Sequence, residues 1–154
     1  MDLSSILKAD AVKIVGSCTS KKRLFHDLGE LSQGSYDLDA AEVIEALIER
    51  EGLGPTGVGH GIALPHARLE KLDRVCGLFI RLDRPIDFDA VDRQPVDLVF
   101  CLLAPQSAGV EHLKALALVS RTMRDPSIQA KLRANPDADT LHTILTETQA
   151  SQAA

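Results

Sequence analysis

Residues 59–68 read Gly-His-Gly-Ile-Ala-Leu-Pro-His-Ala-Arg. His66 directly follows a proline, stands behind a run of glycines and has a cation, Arg68, two residues on. Pro65 holds its own φ at roughly −65° and restricts Leu64 to an extended shape. A loop stiffened in this way aims the side chain that follows it. This is a poor setting for a core histidine and a good one for an imidazole held in a fixed pose at a surface. Such a group can act as acid, base, nucleophile or metal ligand, and the plainer alternative is a histidine that caps a turn.

His112 is the second candidate. It falls in the first turn of an expected helix that follows a strongly apolar segment. Loops at the carboxyl ends of strands are where open α/β sheets place their sites. A helix N-terminus favours anions and keeps a histidine neutral, able to accept or donate a hydrogen bond. Its plainer reading is an exposed helix residue. Arg50 closes another expected helix just before the glycines; it either caps the helix carbonyls or offers a planar fork to a phosphate. Arg68 has the same two readings. His60 lies in the loop as a possible lining residue, while His26 and His142 sit in helices without an evident partner.

Several chemistries lack their motifs. His60 and His66 are badly spaced for a shared metal, and neither H-x-x-x-H nor H-E-x-x-H occurs, so no metal is expected. No G-x-S-x-G elbow supports a serine hydrolase, and no Walker A sequence supports ATP as a phosphate source.

The elements that must position these residues follow from periodicity. Residues 12–15 suit a strand, and the Ser-Cys-Thr-Ser run at 17–20 precedes a helix bearing Leu24, Phe25, Leu28 and Leu31 that Gly34 is expected to stop. Asp39 and Glu42 resemble a capping box before a second helix with Val43, Ile44, Leu47 and Ile48 on one stripe, ended by Gly52 or Gly54. Five glycines and one proline fall between residues 52 and 61, which rules out regular helix and leaves a loop with extended pieces at 57–59 and 62–64. Residues 75–82 suit an interior strand, 84–87 a turn or edge, and the apolar run 96–104 a buried central strand. Helices are expected at about 110–124, after the Asp125-Pro126 cap, and after Asp139 or Thr140 with Leu141, Ile144 and Leu145 inward. Strands and helices mix without a regular βαβ rhythm. The expected class is therefore mixed α/β, of the α+β kind: a small mixed β-sheet flanked by helices on its faces. One domain over residues 1–150 and a frayed tail over 151–154 are expected.

Composition narrows the partners. Only 3% of the 154 residues are aromatic and none is Trp, which disfavours base stacking, and the net charge is −5. The one basic cluster, Lys21-Lys22-Arg23, is expected to solvate a helix start, so nucleic-acid binding is not expected. No signal peptide and no run long enough to span a bilayer is evident. Cys18, Cys76 and Cys101 form no C-x-x-C pair and suit buried, reduced thiols in a cytoplasmic protein.

Residues 57–68, Gly-Val-Gly-His-Gly-Ile-Ala-Leu-Pro-His-Ala-Arg, resemble the active-site signature of phosphotransferase-system enzyme IIA domains of the fructose–mannitol class. Leu47-Ile48-Glu49-Arg50-Glu51 and Glu111-His112-Leu113 stand where that family has further site residues, and the likeness runs from about Leu3 to Thr148. As a stand-alone domain the chain most resembles the nitrogen-regulatory branch. His60 departs from the pattern, standing where Asn or a similar polar residue is expected.

The resemblance implies a mannitol-type IIA fold and a phosphotransferase component with a phosphohistidine intermediate. His66 would accept a phosphoryl group on Nε2 from a phosphohistidine of a small HPr-like carrier. His112 would hydrogen-bond that group and Arg50 would stabilise it, with Arg68 and His60 as possible lining. No cofactor or metal is implied. Regulatory targets in nitrogen or potassium metabolism, such as a transporter or sensor kinase, would read the phosphorylation state. Two alternatives stay open: a sugar-specific IIA that passes the group to a fructose or mannitol IIB, and an interaction module without phosphotransfer. A monomer or weak dimer is expected, with exposed Leu64 and Leu69 available for docking.

Overall fold

A computed structural model describes the backbone of residues 1–153 and the side chains of residues 1–147. The tail expected over 151–154 falls outside the described side chains, and Ala154 outside the described residues altogether.

The apolar run near the middle of the chain becomes the spine of the fold. Strand β6 (Val96–Pro105) carries seven consecutive residues, Leu98 to Ala104, that are at most 1% exposed. A strand buried on both faces needs partners on both edges and cover on both sides. Strand β5 (Cys76–Ile86) pairs antiparallel along one edge, with Phe79 opposite Phe100. The other edge takes two short parallel strands in succession: β3 (Ile62–Ala63) beside Leu98 and Val99, then β4 (His66–Leu69) beside Leu102 to Pro105. Strand β1 (Val12–Val15) adds parallel to β5, and β2 (Gly57–Gly59) antiparallel to β3, giving the order β1-β5-β6-β3-β2 with β4 also on β6.

Helices cover this mixed sheet. α1 (Lys21–Tyr36) and α2 (Ala40–Leu53) pack on each other, α1 also against β5 and α2 against β4. α3 (Val110–Met123) follows β6 and packs on it; α4 (Pro126–Ala134) and α5 (Ala138–Ala153) pair, with α5 reaching β1. The caps match the chemistry of the sequence: Ser20 accepts from Arg23 N–H, Asp39 from Ala41 N–H and Asp125 from Ser127 N–H. With few aromatics, the core is aliphatic, and its four phenylalanines meet edge to face as Phe25–Phe88 and Phe79–Phe100. The three cysteines are buried and unpaired.

Two expected boundaries move. Gly34 does not stop α1; the helix runs on to Tyr36, and Asp37 closes it at φ 57°. The last turn is anchored from outside, by Ser35 Oγ on the Asp10 carbonyl and by the Tyr36 hydroxyl on the carbonyls of Ile6 and Gly77. Those contacts outweigh the roughly 0.5–1 kcal/mol that an internal glycine costs a helix. Nothing lies within 4 Å of where a Cβ at Gly34 would stand. Gly34→Ala is therefore expected to stabilise the protein by about 0.5–1 kcal/mol, read as a higher urea midpoint; no gain or a loss contradicts it. Of the turn or edge expected at 84–87, residues 84–86 are the end of β5, whose register against β6 slips between Arg81 and Ile86. Pro85 falls in that slip, where no ladder bond is asked of it.

Candidate functional site

The site grows out of one interruption. β3 and β4 run along the same edge of β6 but are separated by Leu64 and Pro65. Pro65 has no N–H to offer the ladder. Its carbonyl accepts from Leu102 N–H at 3.0 Å, and Leu64 N–H turns away from the ladder to the Thr56 carbonyl at 2.9 Å. The Leu64 carbonyl is left to face the next side chain but one. It lies 2.9 Å from His66 Nδ1. A carbonyl only accepts, so this contact assigns the proton to Nδ1 and leaves Nε2 of the neutral ring with its lone pair. His66 is the first residue of β4, not a loop residue, and is half-buried.

His112 lies across from it. Its ring meets that of His66 edge to face, with centroids 5.7 Å apart and planes at 63°. It is the third residue of α3 and 6% exposed, which decides against the plain exposed-helix reading. His112 Nδ1 is buried without a partner among the described residues. Burial, and then the nearby His66 and Arg68, push the His112 imidazole below its ordinary 6.5, so it is neutral near pH 7.

Both rings open on a cleft of about 500 Å³. Arg50, Arg68, Gln106 and Glu49 supply its other polar walls, and Ala46, Leu53, Leu113 and Leu116 its apolar ones. Glu49 is the one carboxylate among the lining residues. Arg50 stands in the last turn of α2 and spends one nitrogen on the Gly54 carbonyl at 2.9 Å, so part of its helix-capping reading holds. It has no carboxylate partner among the described residues. Arg68 reaches the Gln106 carbonyl at 3.4 Å. The cleft thus presents a lone-pair nitrogen, a neutral buried imidazole and two guanidinium groups, a set suited to a compact anion.

Other expectations are corrected. His60 does not line this cleft. It sits at the tip of the β2–β3 hairpin at φ 59°, between Gly59 and Gly61, which are also at positive φ. Its N–H donates to Asp92 and its carbonyl accepts from Arg133, which also grips Asp97 at the opposite end of β6 from Pro105. Leu64 is buried and Leu69 half-buried, so neither is an exposed docking residue; the exposed apolar rim is Leu53 at 83% and Leu113 at 64%. Lys21 does not simply solvate a helix start: Nζ donates to the Phe88 carbonyl and lies 3.4 Å from Glu51. His142 Nε2–H donates to the Leu7 carbonyl at 2.9 Å, and His26 lines a shallow groove on α1 and α2 with Ile44 and Ile48. Glu51 falls in the segment 47–51 that the resemblance marks, but nothing in the sequence gives it or Thr56 a role of its own, because a glutamate at a helix end looks like any solvated one. Among the described residues no three His, Cys, Asp or Glu side chains converge as a metal cluster, and no helix is long and apolar enough to cross a membrane.

The depressed His112 value has a consequence for stability. Its folded value lies below its unfolded one, so between them the unfolded chain holds the extra proton. Stability from this residue is present above about pH 6.5 and falls as pH drops through that value toward the folded one. Urea midpoints followed from about pH 8 to about pH 5.5 should fall more steeply for the wild type than for His112→Gln; parallel curves contradict the assignment.

Comparison with known proteins adds to this geometry. Residues 5–148 match the family described as "Phosphoenolpyruvate-dependent sugar phosphotransferase system, EIIA 2". A nitrogen regulatory protein of Bradyrhizobium diazoefficiens is 45% identical over 145 residues, covering 94% of this chain and 95% of that one. The crystal structure of nitrogen regulatory protein IIA-Ntr from Neisseria meningitidis superimposes with a TM-score of 0.85 at 38% identity, over 94% of this chain and 99% of that one. The mannitol IIA of Escherichia coli shares the fold, with a TM-score of 0.73 at 21% identity over 88% of this chain and 96% of that one.

Proposed function

This chain belongs to the phosphotransferase-system EIIA 2 family, and on that premise we propose that it is a phosphocarrier whose acceptor is Nε2 of His66. The observation that carries the reading is the hydrogen bond from His66 Nδ1 to the Leu64 carbonyl, which keeps the lone pair on the nitrogen that can face the cleft. In the reaction the Nε2 lone pair attacks the phosphorus of a phosphohistidine on an HPr-like carrier. A new N–P bond forms at His66, the carrier's N–P bond breaks, and its imidazole leaves with the bonding pair. His66 Nδ1 keeps its proton, and the Leu64 carbonyl stabilises the positive charge that the ring gains. Charge in such a transfer spreads over the three phosphoryl oxygens, so positioned donors do most of the work. Arg50 and His112, which line the cleft with His66, would supply them, with Arg68 at the margin. A His112 that is neutral before transfer can donate from its own N–H without repelling the incoming ring.

The apolar rim of Leu53 and Leu113 suits the docking of a folded protein, whose departure leaves the phosphoryl group reachable by the next partner. Nitrogen regulation is the role named for the relatives, and we read this chain as a regulatory component in the cytoplasm, where its three free thiols would stay reduced.

Incubation with a phosphorylated HPr-like carrier tests the reading. Transfer should give an acid-labile, base-stable label that peptide mapping places on residue 66. An acid-stable label, a label elsewhere, or no transfer overturns it. Efficient onward transfer to a fructose or mannitol IIB would move the assignment from regulation to transport.

A further inference from the structure

Glu51 is a buried carboxylate that the proposed chemistry does not use. Its side chain is 6% exposed, and burying a carboxylate is costly unless it is paired and hydrogen-bonded. Here both oxygens turn onto one residue. Thr56 N–H lies 2.8 and 3.1 Å from Oε1 and Oε2, and Thr56 Oγ1 lies 2.7 and 2.9 Å from them. Lys21 Nζ, 3.4 Å from Oε1, supplies the opposite charge, and is itself tied to the Phe88 carbonyl. The whole assembly therefore secures one turn, residues 54–56, between α2 and β2.

That turn leads to the acceptor ring. The Thr56 carbonyl receives Leu64 N–H at 2.9 Å, and the Leu64 carbonyl holds His66 Nδ1 at 2.9 Å. The preceding residue of the helix, Arg50, fastens the other end of the same turn through Gly54. Guanidinium and imidazole thus share one mount. We infer that Glu51 is a positioning residue, which through Thr56 and the Leu64 carbonyl sets the ring nitrogen that His66 offers for phosphoryl transfer.

The inference rests on the phosphoryl-acceptor reading of His66, but its main readout does not. Nitrogen NMR of the histidine rings reports the tautomer without any transfer. In the full-length wild type, neutral His66 is expected almost wholly as the Nδ1–H form. Glu51→Gln leaves one acceptor oxygen where there were two and removes the charge that faces Lys21 Nζ, and Thr56→Val removes the hydroxyl while keeping the shape. Either variant is expected to move His66 toward a mixture with the Nε2–H form. Transfer from the carrier should slow by about 10- to 100-fold in maximal rate, with carrier concentration dependence little changed, because the ring is misplaced and the docking rim is not. Thr56→Ser, which keeps the hydroxyl, should recover most of the rate lost in Thr56→Val. A wild-type tautomer ratio in both Glu51→Gln and Thr56→Val overturns the inference, whether or not transfer slows, since slowing alone marks a general loosening. A shifted tautomer in the variants with no transfer even to the wild type would instead sink the acceptor reading and leave the mount standing.

Discussion

His66→Ala is expected to abolish phosphoryl acceptance, lowering the rate from a phosphorylated carrier by at least about 10³-fold and the final label to background. The size follows from the role, since a covalent acceptor has no partial substitute. The nearest imidazole, His112, is only 6% exposed and would have to rotate out of the base of α3 to be reached. His60 lies at the far hairpin, bound through its backbone to Asp92 and Arg133. Because His66 is only half-buried and its ring makes one hydrogen bond to a local carbonyl, the variant should fold with a urea midpoint close to wild type. Label stoichiometry and unfolding are measured on the same sample. Near-stoichiometric label in the folded variant would place the acceptor elsewhere.

Phe100→Ala is expected to cost about 3–5 kcal/mol. Phe100 is 0% exposed at the middle of β6, edge-on to Phe79 at 6.2 Å. Its ring lies over Gly77, where an added Cβ would come within 3.0 Å of Cε1. The β-strand backbone on either side holds those neighbours in place, so the void cannot close by collapse and both the transfer and the cavity penalties apply. Against a total stability of about 5–15 kcal/mol this is a large fraction, and the melting temperature should drop by about 10 °C or more. Phe100→Leu, which fills part of the space, should cost less. A loss under about 1 kcal/mol for the alanine variant would mean that the strand is not packed as described.

The same two residues mark what a sequence can and cannot disclose. Around Phe100, continuous apolar character is a direct record of burial on both faces, and the central strand was legible at its true place. The glycine-proline-histidine stretch likewise disclosed a poised imidazole, and its resemblance to the IIA signature disclosed the family. The strand that begins at His66 left no such trace. Its four residues, His-Ala-Arg-Leu, alternate polar and apolar, but over too short a run to tell a strand from a loop, and they are extended because an open edge of β6 is there to receive them. A helix end held by backbone groups 28 or more residues away, as at Tyr36, is equally invisible to local rules, so Gly34 looked like a stop. Lys21 looked solvated because its partners, Phe88 and Glu51, are remote in sequence. His60 looked like part of the site because only five residues separate it from His66; the extended chain of β3 carries the two apart along β6.

The manner in which β3 and β4 attach has a bearing on synthesis. In the sheet, both are held to the rest of the strands through β6 and not through β5 or β1. A nascent chain that has reached residue 95 already contains Arg50, Glu51, Thr56 and His66, yet it has no template along which to lay them in register. His112 and the helix that buries it come later still. The acceptor is therefore assembled only once the second half of the polypeptide has left the ribosome, and premature termination before β6 yields a product with every upstream site residue and no site.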